Sequence, residues 1–196
     1  MTSAAAEQQS ATWFGCLGRP LAAADPVNSR AYLDALGYPP KLSTVSVENW
    51  REAERIVRAP DWDSGWWERE ERERDRLRAA VERRLGSTQM LERLTAATDQ
   101  TADPIHAAAI VAMARTGSGA DAMVRAASGA DAMVRAASGA DAMVRAASGA
   151  AMMAAHEFAL AQLAGCGPDH LFMRKYSLFK SGRWPLGVLR GAFYLF

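Results

Sequence analysis

Cysteine, histidine and long hydrophobic runs are scarce in this sequence, and each scarcity excludes a class of protein. Cys16 and Cys166 are too few for a disulfide framework, and they lack the paired spacing of a zinc site. No apolar run approaches the ~20 residues of a membrane-spanning helix, so we expect no membrane segment. The first residues contain neither a basic region nor an apolar core. We therefore predict no signal peptide and a cytoplasmic protein.

An excess of charge of either sign is also missing. The formal net charge is +1 over 196 residues, so no global field attracts nucleic acid or a membrane surface. Even the most charged segment, residues 68–84, carries seven arginines against six carboxylates, which is typical of a solvated helix with i,i+4 ion pairs. Gly-rich phosphate loops, dinucleotide-binding fingerprints and nucleophile elbows are not found either. None of the chemistry that depends on these motifs is indicated.

Repetition, by contrast, is abundant. The unit SGADAMVRAA occurs three times without change between Ser118 and Ala147, and a decaying fourth copy begins at Ser148. Its Ala, Met and Arg residues favour a helix, although the one Gly in each copy costs about 1 kcal/mol. Ten residues turn a helix by about 1000°, so equivalent methionines spiral around it instead of forming one stripe. We therefore predict an arm or a flexible spacer over residues 117–150, not a catalytic element.

The remainder of the chain predicts a mainly α fold. We expect an irregular helical bundle with a long Ala-rich repeat helix or arm and a small C-terminal β element. Residues 1–24 are predicted to be a loosely ordered N-terminal segment, and residues 25–116 a helical region. Residues 151–196 are predicted to form a C-terminal helix and an aromatic-basic tail that packs on the helical region.

Capping residues, prolines and glycines set the predicted boundaries of the elements. Asp25 and Asp103 each combine an N-cap with a proline at the first helical position, so each is expected to open a helix. Gly86 suits the residue that follows a helix. After Trp184-Pro185 the residues suit short strands, with Arg190-Gly191 as a hairpin turn. The other predicted helices cover residues 47–58 and 66–85, a segment from 87, residues 151–165, and a segment that ends near 180.

The C-terminal tail combines basic and aromatic side chains and has no acidic residue after Asp169. Such a mixture binds single-stranded nucleic acid by stacking and phosphate contact, and it equally docks an acidic protein. In the opposite interpretation, the aromatic rings close the core and the basic groups stay in water. The predicted partner-binding residues are Arg174, Lys175, Tyr176, Lys180, Arg183, Trp184, Arg190 and Phe196.

A metal site is the enzymatic alternative. His106 and His156 meet if their helices pack antiparallel, and Glu157 or a Glu of the third helix then joins them. The sequence lacks the Glu-x-x-His pairs of ferritin-like sites and the second His of a zinc-protease helix. A cluster of tryptophans is open to two interpretations, a core or a binding pocket. Its members are Trp50, Trp62, Trp66 and Trp67.

These observations together predict a non-catalytic, cytoplasmic protein-interaction or accessory protein that needs no cofactor. It is expected to engage a protein partner, or to form a homo-oligomer, through the basic-aromatic tail. The alternatives are a helical-bundle metal-dependent oxidoreductase and a nucleic-acid-binding protein, the latter unsupported by the net charge. Removing residues 181–196 is expected to abolish partner capture and to leave the helices largely intact. Removing residues 128–147 is expected to leave the fold of the remainder intact if the arm projects.

Overall fold

The computed structural model describes residues 12–116 and 130–196, and in the second range it describes side chains from residue 141 onward. It confirms a mainly α fold with a small β element that contains the C-terminal strands. None of the helices in these ranges is long and apolar enough to cross a bilayer. The helices are α1 (Ala24–Ala35), α2 (Trp50–Val57), α3 (Ser64–Leu85), α4 (Ser87–Arg115), α5 (Ala130–Leu163) and α6 (Leu171–Lys180). The strands are β1 (Ser43–Ser46), β2 (Pro185–Leu189) and β3 (Ala192–Leu195).

Short-range capping explains where α2 and α3 begin and where α3 ends. The Asn49 side chain accepts a hydrogen bond from the Glu52 backbone N–H at 2.9 Å, and thereby satisfies a free amide in the first turn of α2. The Asp63 side chain caps α3 in the same way, with 2.8 Å to the Gly65 amide. Gly86 has a φ of 79° and separates α3 from α4, as the sequence predicts, because glycine adopts this conformation without a Cβ clash.

The predicted helix start at Asp103-Pro104 is wrong. α4 continues through Pro104 as one helix of 29 residues. A proline inside a helix removes one backbone hydrogen bond and usually kinks or ends the helix. Beyond Pro104, however, Ile105, Ala109 and Ala112 are all fully buried, so apolar packing on both sides of the proline favours a continuous helix over a break.

The sheet joins distant parts of the chain, with β3 between β1 and β2. β2 and β3 form the predicted antiparallel hairpin, and Arg190 and Gly191 in its turn have φ angles of 50° and 74°. Two successive positive φ angles are typical of the type I′ turns that match strand twist. β1 pairs parallel with β3 and was not predicted, since a four-residue strand with two serines has little local signal.

Gly187 in β2 makes room for two tryptophans. Its φ is 119°, and a Cβ at this position would lie 2.5 Å from the Trp66 ring and 2.9 Å from the Trp62 ring. The two rings contact each other with centroids 6.2 Å apart. Trp62 also bridges to Leu189 through the backbone. These two members of the tryptophan cluster therefore pack against the sheet, as the core interpretation expects.

The third copy of the repeat contributes to the core. Met143, Val144 and Ala147 are 5%, 5% and 0% exposed and belong to the same buried cluster as the C-terminal half of α4. Met153, at the same position of the fourth copy, is 46% exposed, in agreement with the rotation calculated from the period. The expectation of an arm or spacer over 117–150 therefore does not apply to residues 141–150. Residues 117–129 lie outside the described residues, and for 130–140 only a helical backbone is described.

Residues 12–23, assigned to the loosely ordered segment in the sequence prediction, are held against the core. Trp13, Phe14 and Leu17 are buried at 8%, 0% and 3% exposure. The guanidinium of Arg183 donates hydrogen bonds of 2.7 Å to three backbone carbonyls of this segment, and this fixes the segment to the C-terminal region. The carbonyls are those of Cys16, Arg19 and Pro20. Residues 1–11 lie outside the described residues.

Candidate functional site

Half of the predicted partner-binding residues are inside the protein. Lys175 and Arg183 are 7% and 1% exposed, and Trp184 and Phe196 are 4% and 0% exposed. Trp184 and Phe196 exchange two backbone hydrogen bonds of 2.7 and 2.9 Å, and both rings contact Trp50. These four residues are corrected from surface to core. The rings of Trp184 and Phe196 gain most by leaving water, and Lys175 and Arg183 are paired with internal carboxylates.

The exposed basic residues of the tail are largely neutralised by ion pairs. Arg190 forms a pair with Asp61 at 2.5 Å, and Arg174 forms one with Asp169. Acidic residues from earlier in the chain thus balance much of the positive charge that the tail sequence shows by itself. The predicted residues that stay at least partly exposed are Arg174, Tyr176, Lys180 and Arg190.

The three residues of the metal alternative are not brought together. His106 is exposed on α4, whereas Glu157 on α5 is fully buried and bonded to Arg74 and Lys175. His156 is half-buried on the neighbouring position of α5. Within residues 12–116 and the described part of 130–196, no group of three His, Cys, Asp or Glu is placed to hold a metal ion. The predicted oxidoreductase site is therefore not assembled.

The buried residues Glu70, Glu157 and Lys175, with Tyr32 and Arg74 at their edges, form what we call the buried ionic cluster. The Lys175 ammonium donates hydrogen bonds to Glu70 Oε2 at 2.7 Å and Glu157 Oε2 at 2.8 Å. Arg74 donates to Glu157 Oε1 at 2.6 and 3.1 Å, and the Tyr32 hydroxyl donates to Glu70 Oε1. Two cations balance two carboxylates, so α1, α3, α5 and α6 meet at a neutral, fully hydrogen-bonded centre.

Electrostatics shift the pKa values of Lys175 and Tyr32 in this cluster. Burial by itself lowers the pKa of Lys175, but the carboxylates of Glu70 and Glu157 more than offset this, and the pKa is raised. Burial, together with the negative charge of Glu70, raises the pKa of Tyr32 well above its usual value. Tyr32 and Glu157 are both 0% exposed, so a substrate does not reach them. The cluster is therefore suited to holding helices together and not to catalysis.

A small cavity lies where α4 ends. Its volume is about 230 Å³, below the range of about 300–1,000 Å³ typical of small-molecule sites. Glu48 and Arg115 give its wall both signs of charge, and Arg115 already donates to the Phe14 carbonyl at 3.2 Å. The cavity therefore has no feature that assigns a ligand to it. Its lining residues are Gly15, Leu17, Gly18, Arg19, Glu48, Arg115 and Thr116.

The most exposed aromatic ring with a described position belongs to Trp67, near the start of α3. Trp67 is 65% exposed, whereas the other five tryptophans are buried or half-buried. Glu71 and Arg78 lie within about 40° of Trp67 around the helix, and all three residues are exposed. We call these three residues the Trp67 flank.

The charges of the Trp67 flank differ from the other charges of α3. Glu71 and Arg78 make no ion pair with any residue that the structure describes. Elsewhere on the helix, Glu73 pairs with Arg76 at 2.6 Å. An exposed ring beside two unpaired charges of opposite sign resembles part of an interface without its partner.

Sequence reasoning identified the tryptophan cluster but not which ring is exposed. Trp66 and Trp67 are adjacent, and adjacent residues point about 100° apart on a helix. Only one of them can therefore pack on the sheet, where Trp66 donates a hydrogen bond to the Tyr32 hydroxyl at 2.8 Å. The helical period contains the signal that the two rings differ, but the choice between them depends on where the sheet lies.

Comparisons with protein-family models, with curated proteins and with solved structures gave no match. The geometry of this chain is therefore the basis for assigning a function.

Proposed function

We propose that this protein is a non-catalytic interaction protein that binds a protein partner through the Trp67 flank. The observation that carries the proposal is the 65% exposure of Trp67 beside two unpaired charges. Trp and Arg are enriched among the residues that dominate binding energy at interfaces, and an exposed indole ring leaves a large apolar area in water. A partner that covers Trp67 recovers that apolar area and pairs with Glu71 and Arg78.

The internal ion pairs of the tail support the Trp67 flank as the binding surface instead of the basic-aromatic tail that was expected from the sequence. Lys175 and Arg183 are committed to internal ion pairs, and Arg190 is paired with Asp61. A partner of the tail would have to compete with these intramolecular contacts, whereas the Trp67 flank offers unpaired groups. We also assign the protein to the cytoplasm, a proposal supported by its two free cysteines.

Affinity capture with a Trp67→Ala variant tests the proposal. Wild-type protein and the variant are tagged, incubated with an extract of the source cells, and the bound proteins are quantified by mass spectrometry. Loss of an interface tryptophan typically costs about 2 kcal/mol or more, which is about a 30-fold weaker complex. We expect at least one bound protein, either another protein or the untagged copy of this chain, to be lost with the variant.

Leu91→Ala is the matched control, because Leu91 is 63% exposed on α4, away from the Trp67 flank. We expect this variant to retain the wild-type set of bound proteins. An identical set of bound proteins for wild type and Trp67→Ala contradicts the proposal, provided that circular dichroism shows both to be folded.

A further inference from the structure

The Trp67 flank has a charge order that is complementary to itself. In the first half of α3 the exposed charged residues are mostly acidic, with Glu68 and Glu71 against Arg72. The exposed residues of the second half are mostly basic. They are Arg76, Arg78, Arg83 and Arg84, with Asp75 and Glu82 as the acidic exceptions. Two copies of such a helix that run in opposite directions place each acidic half beside a basic half.

The helix dipole does not account for this order on the Trp67 flank. The dipole favours acids near the N-terminus and bases near the C-terminus, but its effect falls off within the first and last turns. Glu71 lies in the third turn of α3, and Arg78 is about two turns from its end. An interaction of α3 with a second molecule explains the placement of Glu71 and Arg78 more specifically than the helix dipole does.

We infer that the partner of the Trp67 flank is a second copy of this chain, bound by antiparallel pairing of α3 with α3. This inference rests on the function proposed above. A two-fold axis that passes between residues 74 and 75 places Glu71 of each copy opposite Arg78 of the other, so two equivalent ion pairs form. The same axis places Trp67 of one copy at the level of Glu82 of the other, with Leu85 of that copy about one helical turn further along.

Leu85 is suited to this contact. It is eighteen residues after Trp67, which is five helical turns, so both side chains lie on the same side of α3. Leu85 is only half-buried in the single chain. Pairing therefore removes a ring and an aliphatic side chain from water at each end of the contact and leaves the two ion pairs in its centre.

The small size of the contact limits the strength of the dimer. α3 has 22 residues and is about 33 Å long, so a pair of such helices buries less than the ~1,200 Å² of a standard interface. We therefore expect a weak dimer, with a dissociation constant of about 10 µM or higher. The measurement consequently has to extend to high protein concentration.

Sedimentation velocity of the wild-type protein and two charge-reversal variants tests the inference. From about 1 to about 200 µM, the wild-type protein is expected to shift from monomer toward dimer. Glu71→Arg and Arg78→Glu are each expected to stay monomeric at the highest concentration, because each places like charges opposite one another. An equimolar mixture of the two variants is expected to form a dimer again, since every facing pair then has opposite charges.

Arg83→Glu is the matched control. It changes the charge of the same helix by the same amount as Arg78→Glu, but Arg83 lies about 140° around the helix from Arg78, and we expect wild-type dimerisation. A wild-type protein that is monomeric at every concentration overturns the inference, as does a mixture of variants that remains monomeric. If Trp67-dependent capture of a different protein persists in that case, only the choice of partner is wrong and the proposed function stands.

Discussion

The ammonium group of Lys175 on α6 lies 2.7 Å from a carboxylate oxygen of Glu70 on α3, and both side chains are less than one-tenth exposed. A second bond of 2.8 Å joins the same ammonium to Glu157 on α5. Lys175 therefore connects three helices that are far apart in the sequence. A buried charge of this kind is tolerated only while its partners stay in place, which makes Lys175 a sensitive position for mutation.

Replacing Lys175 with Met is expected to lower the free energy of unfolding by about 3–5 kcal/mol, because Glu70 is left buried without a cation. The double variant Lys175→Met with Glu70→Gln is expected to recover part of this loss, since Glu157 keeps its bond to Arg74. Urea denaturation at neutral pH measures both. Lys180→Met is the control at a half-buried lysine. A double variant no more stable than Lys175→Met contradicts the ion-pair explanation.

Removing residues 181–196 is expected to abolish the cooperative thermal transition, the opposite of what the sequence suggests. The deletion takes away β2, β3, the buried Trp184 and Phe196, and the contacts of Arg183 with residues 16–20. Circular dichroism during heating measures the transition. Arg190→Ala serves as the control, because it removes only the exposed pair with Asp61 and should preserve the transition. A truncated protein that still unfolds cooperatively would contradict the assignment of the tail to the core.

Replacing the methionine of the repeat with alanine is expected to destabilise the protein more in the third copy than in the fourth. Met143→Ala should destabilise the protein by about 2–5 kcal/mol, as large-to-small changes in a core do, because Met143 is 5% exposed. Met153→Ala should have a much smaller effect, since Met153 is 46% exposed. Chemical denaturation measures both variants. Equal effects would mean that the third copy does not pack against α4 as described.

Deleting residues 128–147 is expected to preserve cooperative unfolding, because an identical copy of the repeat then takes the place of the deleted one. The deletion joins Ala127 to Ser148, so the remaining copy precedes Ser148 with the same ten residues as before. Met123 then occupies the position of Met143 relative to the rest of α5. Combining the deletion with Met123→Ala should consequently cause the loss of stability that Met143→Ala causes in the full chain. If the combined variant is as stable as the deletion alone, the copy next to Ser148 is not a core element.

His156 is expected to make the protein less stable in mild acid. Burial, together with the positive charge of Arg78, lowers the pKa of His156 below the ordinary value of 6.5. Between these two pKa values the unfolded chain binds more protons than the folded protein, so stability rises with pH and falls on acidification. His156→Gln should reduce this slope in urea midpoints measured from about pH 5 to about pH 7. An unaltered slope for His156→Gln contradicts this explanation.

The sequence by itself determined the features that depend on neighbours within a few residues. The Gly86 boundary of α3 follows from the freedom of glycine, and the Arg190-Gly191 turn follows from its need for positive φ. The different directions of Met143 and Met153 follow from the helical period and the length of the repeat. Each of these is a short-range property of the backbone.

Only the tertiary structure decided the features that depend on distant partners. The basic residues of the tail are unpaired in the sequence after Asp169, yet their carboxylates come from Asp25, Asp61, Glu70 and Glu157 elsewhere in the chain. α4 continues through Pro104 because its far side is buried. Of two adjacent tryptophans, the sheet covers Trp66 and leaves Trp67 in water. Burial and charge pairing are sums over long-range contacts, and local sequence does not specify which contacts form.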